Sequence, residues 1–116
     1  MKLTKNLRCF IFLTILISIG VLSLLPPEEV ELGDSDKLSH CIVYLVLMVS
    51  FGYWKGDFQD TWKRIFVIIS YGVLLEFLQG FVPGRVPSLY DGIANSIGVL
   101  MGVGILWVYT NKLLPK

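Results

Sequence analysis

The chain has 116 residues, of which 54% are apolar or aromatic and 16% are charged, and its formal net charge is +1. This composition excludes a disordered chain, a nucleic-acid-binding module with a basic face and a small disulfide-framework protein. A soluble globule of this size could not cover so much apolar surface, so the composition favours a membrane protein.

Four stretches with few or no charges predict four membrane-spanning helices. Each stretch has 17 to 20 residues, and only His40 and Glu76 within them could carry a full charge near neutral pH. A helix that crosses about 30 Å of hydrocarbon needs about 20 residues, with ~17 as the lower end. The predicted fold is an all-α integral membrane protein, a bundle of four transmembrane helices at about 9–25, 37–54, 63–82 and 89–111. These helices would form a single domain over residues 1–116.

The first apolar stretch is also compatible with a signal peptide, because Lys2, Lys5 and Arg8 precede it. The only small-x-small site is Ser18-Ile19-Gly20, which lies inside the apolar run rather than after it. We therefore expect the helix to be retained.

The basic residues predict the orientation of the bundle. Most of them fall on one side of the predicted membrane: Lys2, Lys5, Arg8, Lys55, Lys63, Arg64, Lys112 and Lys116. Only Lys37 and Arg85 lie on the other side, which also carries the acidic segment 26–36. By the positive-inside rule, both termini are cytoplasmic and the acidic segment faces outward.

A set of polar side chains near the outward ends of the helices is expected to converge on one pocket. Its members are Asp36, Lys37, His40, Glu76, Gln79, Arg85, Asp91 and Asn95. Glu76 is the strongest indication of such a pocket, because a carboxylate about two turns inside an apolar run costs several kcal/mol if it is unpaired. We expect it to face Arg85, His40 or Lys37.

The first functional hypothesis is a binding site without chemistry. Arg85 and Lys37 would hold an anionic group of a membrane lipid or lipid-linked cell-wall precursor, and Glu76 would orient Arg85. Gln79 and Asn95 would add hydrogen bonds. Ser88 is placed with the binding residues, although its position before an apolar run also fits the N-cap of the fourth helix.

Two other hypotheses remain open. In one, the protein is a membrane hydrolase or transferase with His40 as general acid or base and Asp36 or Asp91 as its orienting carboxylate. In the other, it is a scaffold subunit whose polar residues only lock the helices together. The spacing of the acidic residues and His40 is not diagnostic of a metal site, and no nucleotide-binding fingerprint occurs, so no metal or cofactor is predicted.

At these residues the sequence resembles the VanZ-like family of bacterial membrane proteins, from about residue 20 to residue 104. The matching strings are Asp36-Lys37-x-x-His40-x-x-x-Tyr44, Glu76-x-x-Gln79 and Pro83-Gly84-Arg85-x-x-Ser88-x-x-Asp91-x-x-x-Asn95-x-x-Gly98-x-x-x-Gly102. The resemblance implies a small multi-helix protein of the bacterial inner membrane. The family's namesake is associated with low-level resistance to teicoplanin, a glycopeptide with a lipid tail. A fold-level resemblance leaves the chemistry of the site open.

Overall fold

The fold is a bundle of four helices. The computed structural model describes residues 3–25, 36–56, 59–84 and 89–113, with side chains at all of these except 36, 37, 112 and 113. The helices are α1 (Lys5–Ser23), α2 (Asp36–Lys55), α3 (Thr61–Gln79) and α4 (Leu89–Val108), the last continued by a π-helical turn (Tyr109–Leu113). Within the described residues every regular element is helical, which confirms the all-α prediction.

Helix α1 begins four residues before its predicted start. Thr4 adopts an extended backbone conformation, and its side-chain oxygen accepts a hydrogen bond of 3.2 Å from the Leu7 N–H. This satisfies one of the unpaired N–H groups of the first turn. Lys5 and Arg8 therefore belong to the helix rather than to the segment before it.

Helix α3 ends three residues before its predicted end. Gly80 and the following residues form tight turns, with the Val82 N–H bonded to the Gln79 carbonyl at 3.1 Å. Pro83 contributes to this end, since a residue before proline avoids the α conformation. Three of the helices described, α1, α2 and α4, are long and apolar enough to cross a membrane. Helix α3 carries Lys63, Arg64 and Glu76 within its 19 residues.

The α-helical part of α4 ends at Val108 rather than at the predicted residue 111, and the chain continues as a wider π-helical turn. Thr110 Oγ1 donates to the Leu106 carbonyl at 2.7 Å, and Asn111 Nδ2 donates to the Trp107 carbonyl at 2.9 Å. Such side chains compete with backbone N–H groups for the carbonyls one turn earlier. The prediction missed this change in helix type.

The contacts between helices show how the chain alternates in direction. His40 contacts Asn95, and Gly52 lies against Leu106, so α2 and α4 run parallel. The Tyr71 hydroxyl donates to the Leu16 carbonyl and Gln79 contacts Ser23, so α1 and α3 also run parallel. We call the end where α1 and α3 finish and α2 and α4 begin the polar end. The opposite end is the aromatic end, where Phe12, Phe51 and Trp54 stack.

Glycines let α2 and α4 pack closely. A methyl group at Gly98 would collide with the Cys41 carbonyl oxygen, and one at Gly102 would lie 2.9 Å from Met48 Cβ. This pair of glycines packs α4 against α2 within one chain, as small residues do where two helix backbones approach closely. The largest fully buried side chains of the described core are Leu47, Met48, Ile68 and Val99, from α2, α3 and α4.

The outer surface of the bundle is apolar along most of its length. Phe10, Phe66 and Leu100 are each at least 60% exposed on three different helices. A helix of 19 or 20 residues is about 30 Å long, which matches the hydrocarbon thickness of a bilayer. Exposed apolar side chains over that length fit a protein whose solvent is lipid.

Candidate functional site

The centre of the candidate site is His40 in the first turns of α2. Its Nδ1 lies 2.9 Å from Asn95 Oδ1, and its Nε2 lies 3.9 Å from Asp91 Oδ2, both on α4. The side chains of His40 and Asp91 are 15% and 11% exposed. Two residues one turn apart on α4 therefore lie beside the imidazole, with Asn95 at hydrogen-bond distance and Asp91 at the distance of an ion pair. The predicted approach of His40 to Asp91 and Asn95 is present in the structure.

Helix α3 reaches the same cluster at Gly72. A methyl group there would lie 3.1 Å from the Tyr44 ring and 3.4 Å from Asn95 Nδ2. Tyr44 and Asn95 are both buried, at 3% and 7% exposure. The absence of a side chain at Gly72 thus makes room for the tyrosine ring and the amide between α2, α3 and α4.

Glu76 lies one turn beyond Gly72 toward the polar end. Asp91 lies one turn before Asn95, and α3 and α4 are antiparallel, so the two carboxyl groups are at about the same level of the bundle. Glu76 is half-buried and interacts electrostatically with Tyr44. Side chains from α2, α3 and α4 thus approach one another below the polar end.

An open groove runs between α3 and α4 beside this cluster. Its volume is about 600 Å³. It is lined by Gly72, Val73, Glu76, Phe77, Gly80, Phe81, Leu89 and Gly92. The strip Gly72, Glu76 and Gly80, which the sequence shows at intervals of four residues, forms one wall. We call this feature the α3–α4 groove; among the described residues that line it, Glu76 is the one acidic residue.

A smaller cavity of about 100 Å³ lies on the other side of His40, between α1 and α2. It is lined by Ile19, Leu22, Ser23, Ser39, His40, Val43 and Tyr44. We call it the α1–α2 cavity. Ser23 and Ser39 could not be recognised as site residues from the sequence, because neither has a spacing that marks it as part of a site.

Gln79 is directed to α1 rather than to His40. Its side chain is buried at 5% exposure, and Nε2 donates to the Ser23 carbonyl at 2.8 Å. This bond satisfies a carbonyl at the C-terminal end of α1. Gln79, which was predicted to add hydrogen bonds to a ligand, thus donates one of its amide hydrogens within the bundle.

Several predicted site residues lie outside the described part of the chain. Arg85 and Ser88 fall between residues 84 and 89, and the side chains of Asp36 and Lys37 are likewise not described. Their predicted roles in binding and catalysis stay predictions. Among the described residues, no group of three or more His, Cys, Asp or Glu side chains is placed to hold a metal ion.

Comparison with known proteins identifies the family. A model of the VanZ/LLP1 family matches residues 4–110 of this chain. A protein of Schizosaccharomyces pombe, described only as uncharacterised, is 29% identical over 110 residues, which cover 91% of this chain and 66% of that relative. The chain thus spans slightly less than two thirds of the length of this yeast relative, and no solved structure matches it. The residues around His40, Glu76 and Asn95 and the match over nearly the whole chain agree: this is a helical membrane protein that belongs to the VanZ/LLP1 family.

Proposed function

We propose that the protein spans a bacterial inner membrane four times, with both termini in the cytoplasm, and that its polar end binds an anionic group of a membrane lipid or lipid-linked cell-wall precursor. Arg85 and Lys37 hold the anion in this proposal. Glu76 orients Arg85, while His40, Asn95, Asp91 and Ser88 complete the polar surroundings.

The directions of the helices support four spans. Helices α2 and α4 run parallel and are both long and apolar enough to cross the membrane. A chain that crosses twice in the same direction must return between the two crossings, and α3 is the helix between them. Lys5, Lys55 and Lys63 lie at the aromatic end, so the positive-inside rule puts that end in the cytoplasm.

The observation that carries the binding proposal is the position of the polar cluster at the edge of the α3–α4 groove. An apolar groove with a carboxyl group in its wall can take a lipid, with hydrocarbon along the groove and the head group near Glu76. A volume of about 600 Å³ falls in the range of small-molecule sites, roughly 300–1,000 Å³. Arg85 lies in the connection that joins the two helices of the groove.

Lipid competition tests the proposal. The purified protein is given equal amounts of phosphatidylglycerol and phosphatidylcholine, and the lipids retained are counted by native mass spectrometry. Wild-type protein should prefer phosphatidylglycerol, and Arg85→Gln should reduce that preference about tenfold or more, because hydrogen bonds to charged groups contribute roughly 1.5–3 kcal/mol. Arg85→Lys should be intermediate, since lysine keeps the charge without the planar fork.

Lys63→Gln is the matched control, because Lys63 is exposed at the aromatic end and should leave the preference unchanged. The binding proposal fails if wild-type protein shows no preference or if Arg85→Gln behaves like Lys63→Gln. Teicoplanin susceptibility of bacteria that express the wild-type or Arg85→Gln protein tests the proposed link with glycopeptide resistance. Equal teicoplanin susceptibility of the two strains would contradict a link between this protein and glycopeptide resistance.

A second candidate function is a hydrolase or transferase acting on a lipid-linked substrate. It is favoured by one observation, the hydrogen-bond contact of the His40 imidazole with Asn95 and its proximity to Asp91, since a general base needs a fixed orientation. Phosphate release from a polyprenyl pyrophosphate is a suitable assay. His40→Ala should abolish release while phosphatidylglycerol binding persists. Absence of release by the wild-type protein would remove this candidate for that substrate class.

A further inference from the structure

The glycines of α4 fall into two groups according to what a side chain would meet. Gly98 and Gly102 lie against α2, where an added methyl group would have another atom within 3.0 Å. At Gly92 and Gly104 the described part of the chain has no atom within 4 Å of the same position. Glycine is a poorer helix former than alanine. Packing within the described chain therefore accounts for the first two glycines and not for the second two.

Gly92 lines the α3–α4 groove. Gly72 lines the same groove from α3, but its missing side chain is explained by the Tyr44 ring, which would lie 3.1 Å from an added methyl group. A side chain at position 92 would have no described atom to pack against and would occupy part of the groove. The volume that Gly92 leaves empty thus belongs to the groove rather than to the contact between helices.

From this geometry we propose that Gly92 is a specificity-determining residue of the α3–α4 groove, whose missing side chain leaves the room that the hydrocarbon of a membrane lipid occupies beside Glu76. That the occupant is a lipid rests on the proposed function. The room at Gly92 is a property of the groove itself.

A lipid suits this groove better than a second copy of the chain. A twofold-symmetric interface uses the same surface of both partners, so a dimer formed through the groove would bring two Glu76 carboxyl groups to one interface. Like charges repel strongly in surroundings of low dielectric constant. A lipid chain carries no charge, and Phe77 and Phe81 offer it an apolar wall, with exposed rings that meet edge to face at 5.5 Å between centres.

A second groove on α4 has similar size and different chemistry. Its volume is about 620 Å³, and it lies toward the aromatic end. It is lined by Met101, Gly104, Ile105, Val108 and Tyr109. None of these described lining residues is acidic or basic, and the predicted anion-binding residues are at the opposite end of the bundle. Gly104 therefore gives a matched control, since the same substitution on the same helix fills a groove that has no site for a charged head group.

Native mass spectrometry tests the proposal with phosphatidylglycerol and phosphatidylcholine that carry identical acyl chains, given in equal amounts. The quantity compared is the total lipid retained, whatever its head group. Gly92→Leu should lower retention about tenfold or more, because a side chain that overlaps a bound group is strongly unfavourable. Gly92→Ala adds only a methyl group and should lower retention about threefold. Gly104→Leu should stay within about twofold of the wild type.

Unfolding in detergent, followed by circular dichroism, separates lost binding from a lost fold. Gly92→Leu should unfold at the wild-type temperature or above it, because leucine is the better helix former and meets no described atom there. Wild-type retention by Gly92→Leu, or equal losses in Gly92→Leu and Gly104→Leu, overturns the proposal. If Gly92→Leu fails to fold, wild-type retention by Gly92→Ala overturns it. Conversion of a dimer to a monomer by Gly92→Leu would show a second copy in the groove and overturn the lipid as its occupant.

Total retention and head-group preference fail independently. If the wild-type protein retains both lipids equally and Gly92→Leu loses both, the anionic-lipid proposal fails and the role of Gly92 stands. If the wild-type protein prefers phosphatidylglycerol and Gly92→Leu retains as much lipid as the wild type, the role of Gly92 alone fails.

Discussion

At Gly98 the missing side chain is what allows α2 and α4 to touch. The Cys41 carbonyl occupies the space that a methyl group would need, and backbone atoms cannot move away as the end of a flexible side chain can. Gly104, six residues later on the same helix, has nothing within 4 Å of the equivalent position. We therefore expect substitution by alanine to have opposite effects on stability at Gly98 and at Gly104.

Gly98→Ala should lower the free energy of unfolding by about 1–3 kcal/mol, the usual cost of an added methyl group in a packed interior. Gly104→Ala should leave it unchanged or raise it by up to about 1 kcal/mol, since alanine is the better helix former. Unfolding in mixed detergent, followed by circular dichroism, measures both. Equal stability of the two variants would contradict the packing described for α2 and α4.

The Tyr71 hydroxyl joins α3 to α1 through the Leu16 carbonyl. Tyr71→Phe removes this bond and little else, so the free energy of unfolding should fall by about 0.5–1.5 kcal/mol. Tyr109→Phe serves as the control, because Tyr109 is exposed at the end of α4. The same detergent unfolding reports the difference, and an effect no larger than that of Tyr109→Phe would argue against the contact.

The residues of the site were predictable to different degrees. Helical spacing was enough to bring His40, Asp91 and Asn95 to one end of the bundle, because each lies in the first turns of a predicted helix. Gln79 was grouped with them although it is directed to Ser23. Gln79 lies three residues after Glu76 on α3. Which neighbouring helix its side chain contacts depends on how the helices pack, and residue spacing alone does not determine that.

Among the elements, α1 is tied to α2 at the aromatic end by Arg8. Its Nη1 donates to the Tyr53 carbonyl at 2.8 Å, and its guanidinium lies 5.3 Å from the centre of the Tyr53 ring. Tyr53 is in the last turn of α2, where carbonyl groups lack partners within the helix and a positive charge is favourable. In the sequence Arg8 indicates only the orientation of the bundle, since nothing local links it to a residue 45 positions away.

Arg8→Gln should lower the free energy of unfolding by about 1–2 kcal/mol, because the charge at the end of α2 and its stacking on Tyr53 are lost together. Lys5→Gln removes an exposed charge from the same helix and should have little effect. Thermal unfolding of the two variants in one detergent gives the comparison. A smaller loss of stability in Arg8→Gln than in Lys5→Gln would contradict the role of Arg8 in joining α1 to α2.

At the scale of the whole molecule, composition and charge placement were sufficient for the helix count and for approximate helix positions. Helix ends were less predictable, because Thr4, Pro83 and Thr110 act through local hydrogen bonds and backbone preferences rather than through hydropathy. The α3–α4 groove was not predictable, since it depends on how far apart two helices lie. Only its wall of Gly72, Glu76 and Gly80 was visible in the sequence.

Cysteine labelling tests the proposed topology. In a chain with Cys9→Ala and Cys41→Ala, a membrane-impermeant maleimide should label Glu31→Cys in intact cells and Lys63→Cys only after lysis. Residue 31 lies in the acidic segment, and Lys63 is exposed at the start of α3. The reverse labelling pattern would show that the protein has the opposite orientation in the membrane. Labelling of both positions in intact cells would contradict a membrane crossing by α2.

The parallel contact of α2 with α4 also has a consequence for biosynthesis. His40 and Asn95 are 55 residues apart, and α3 is made between them. Because a ribosome delivers the chain from its N-terminus, α2 reaches the insertion machinery before its partner exists. The imidazole gains its amide partner only when α4 arrives. A nascent chain arrested before residue 89 would therefore leave α2 without the helix against which it packs.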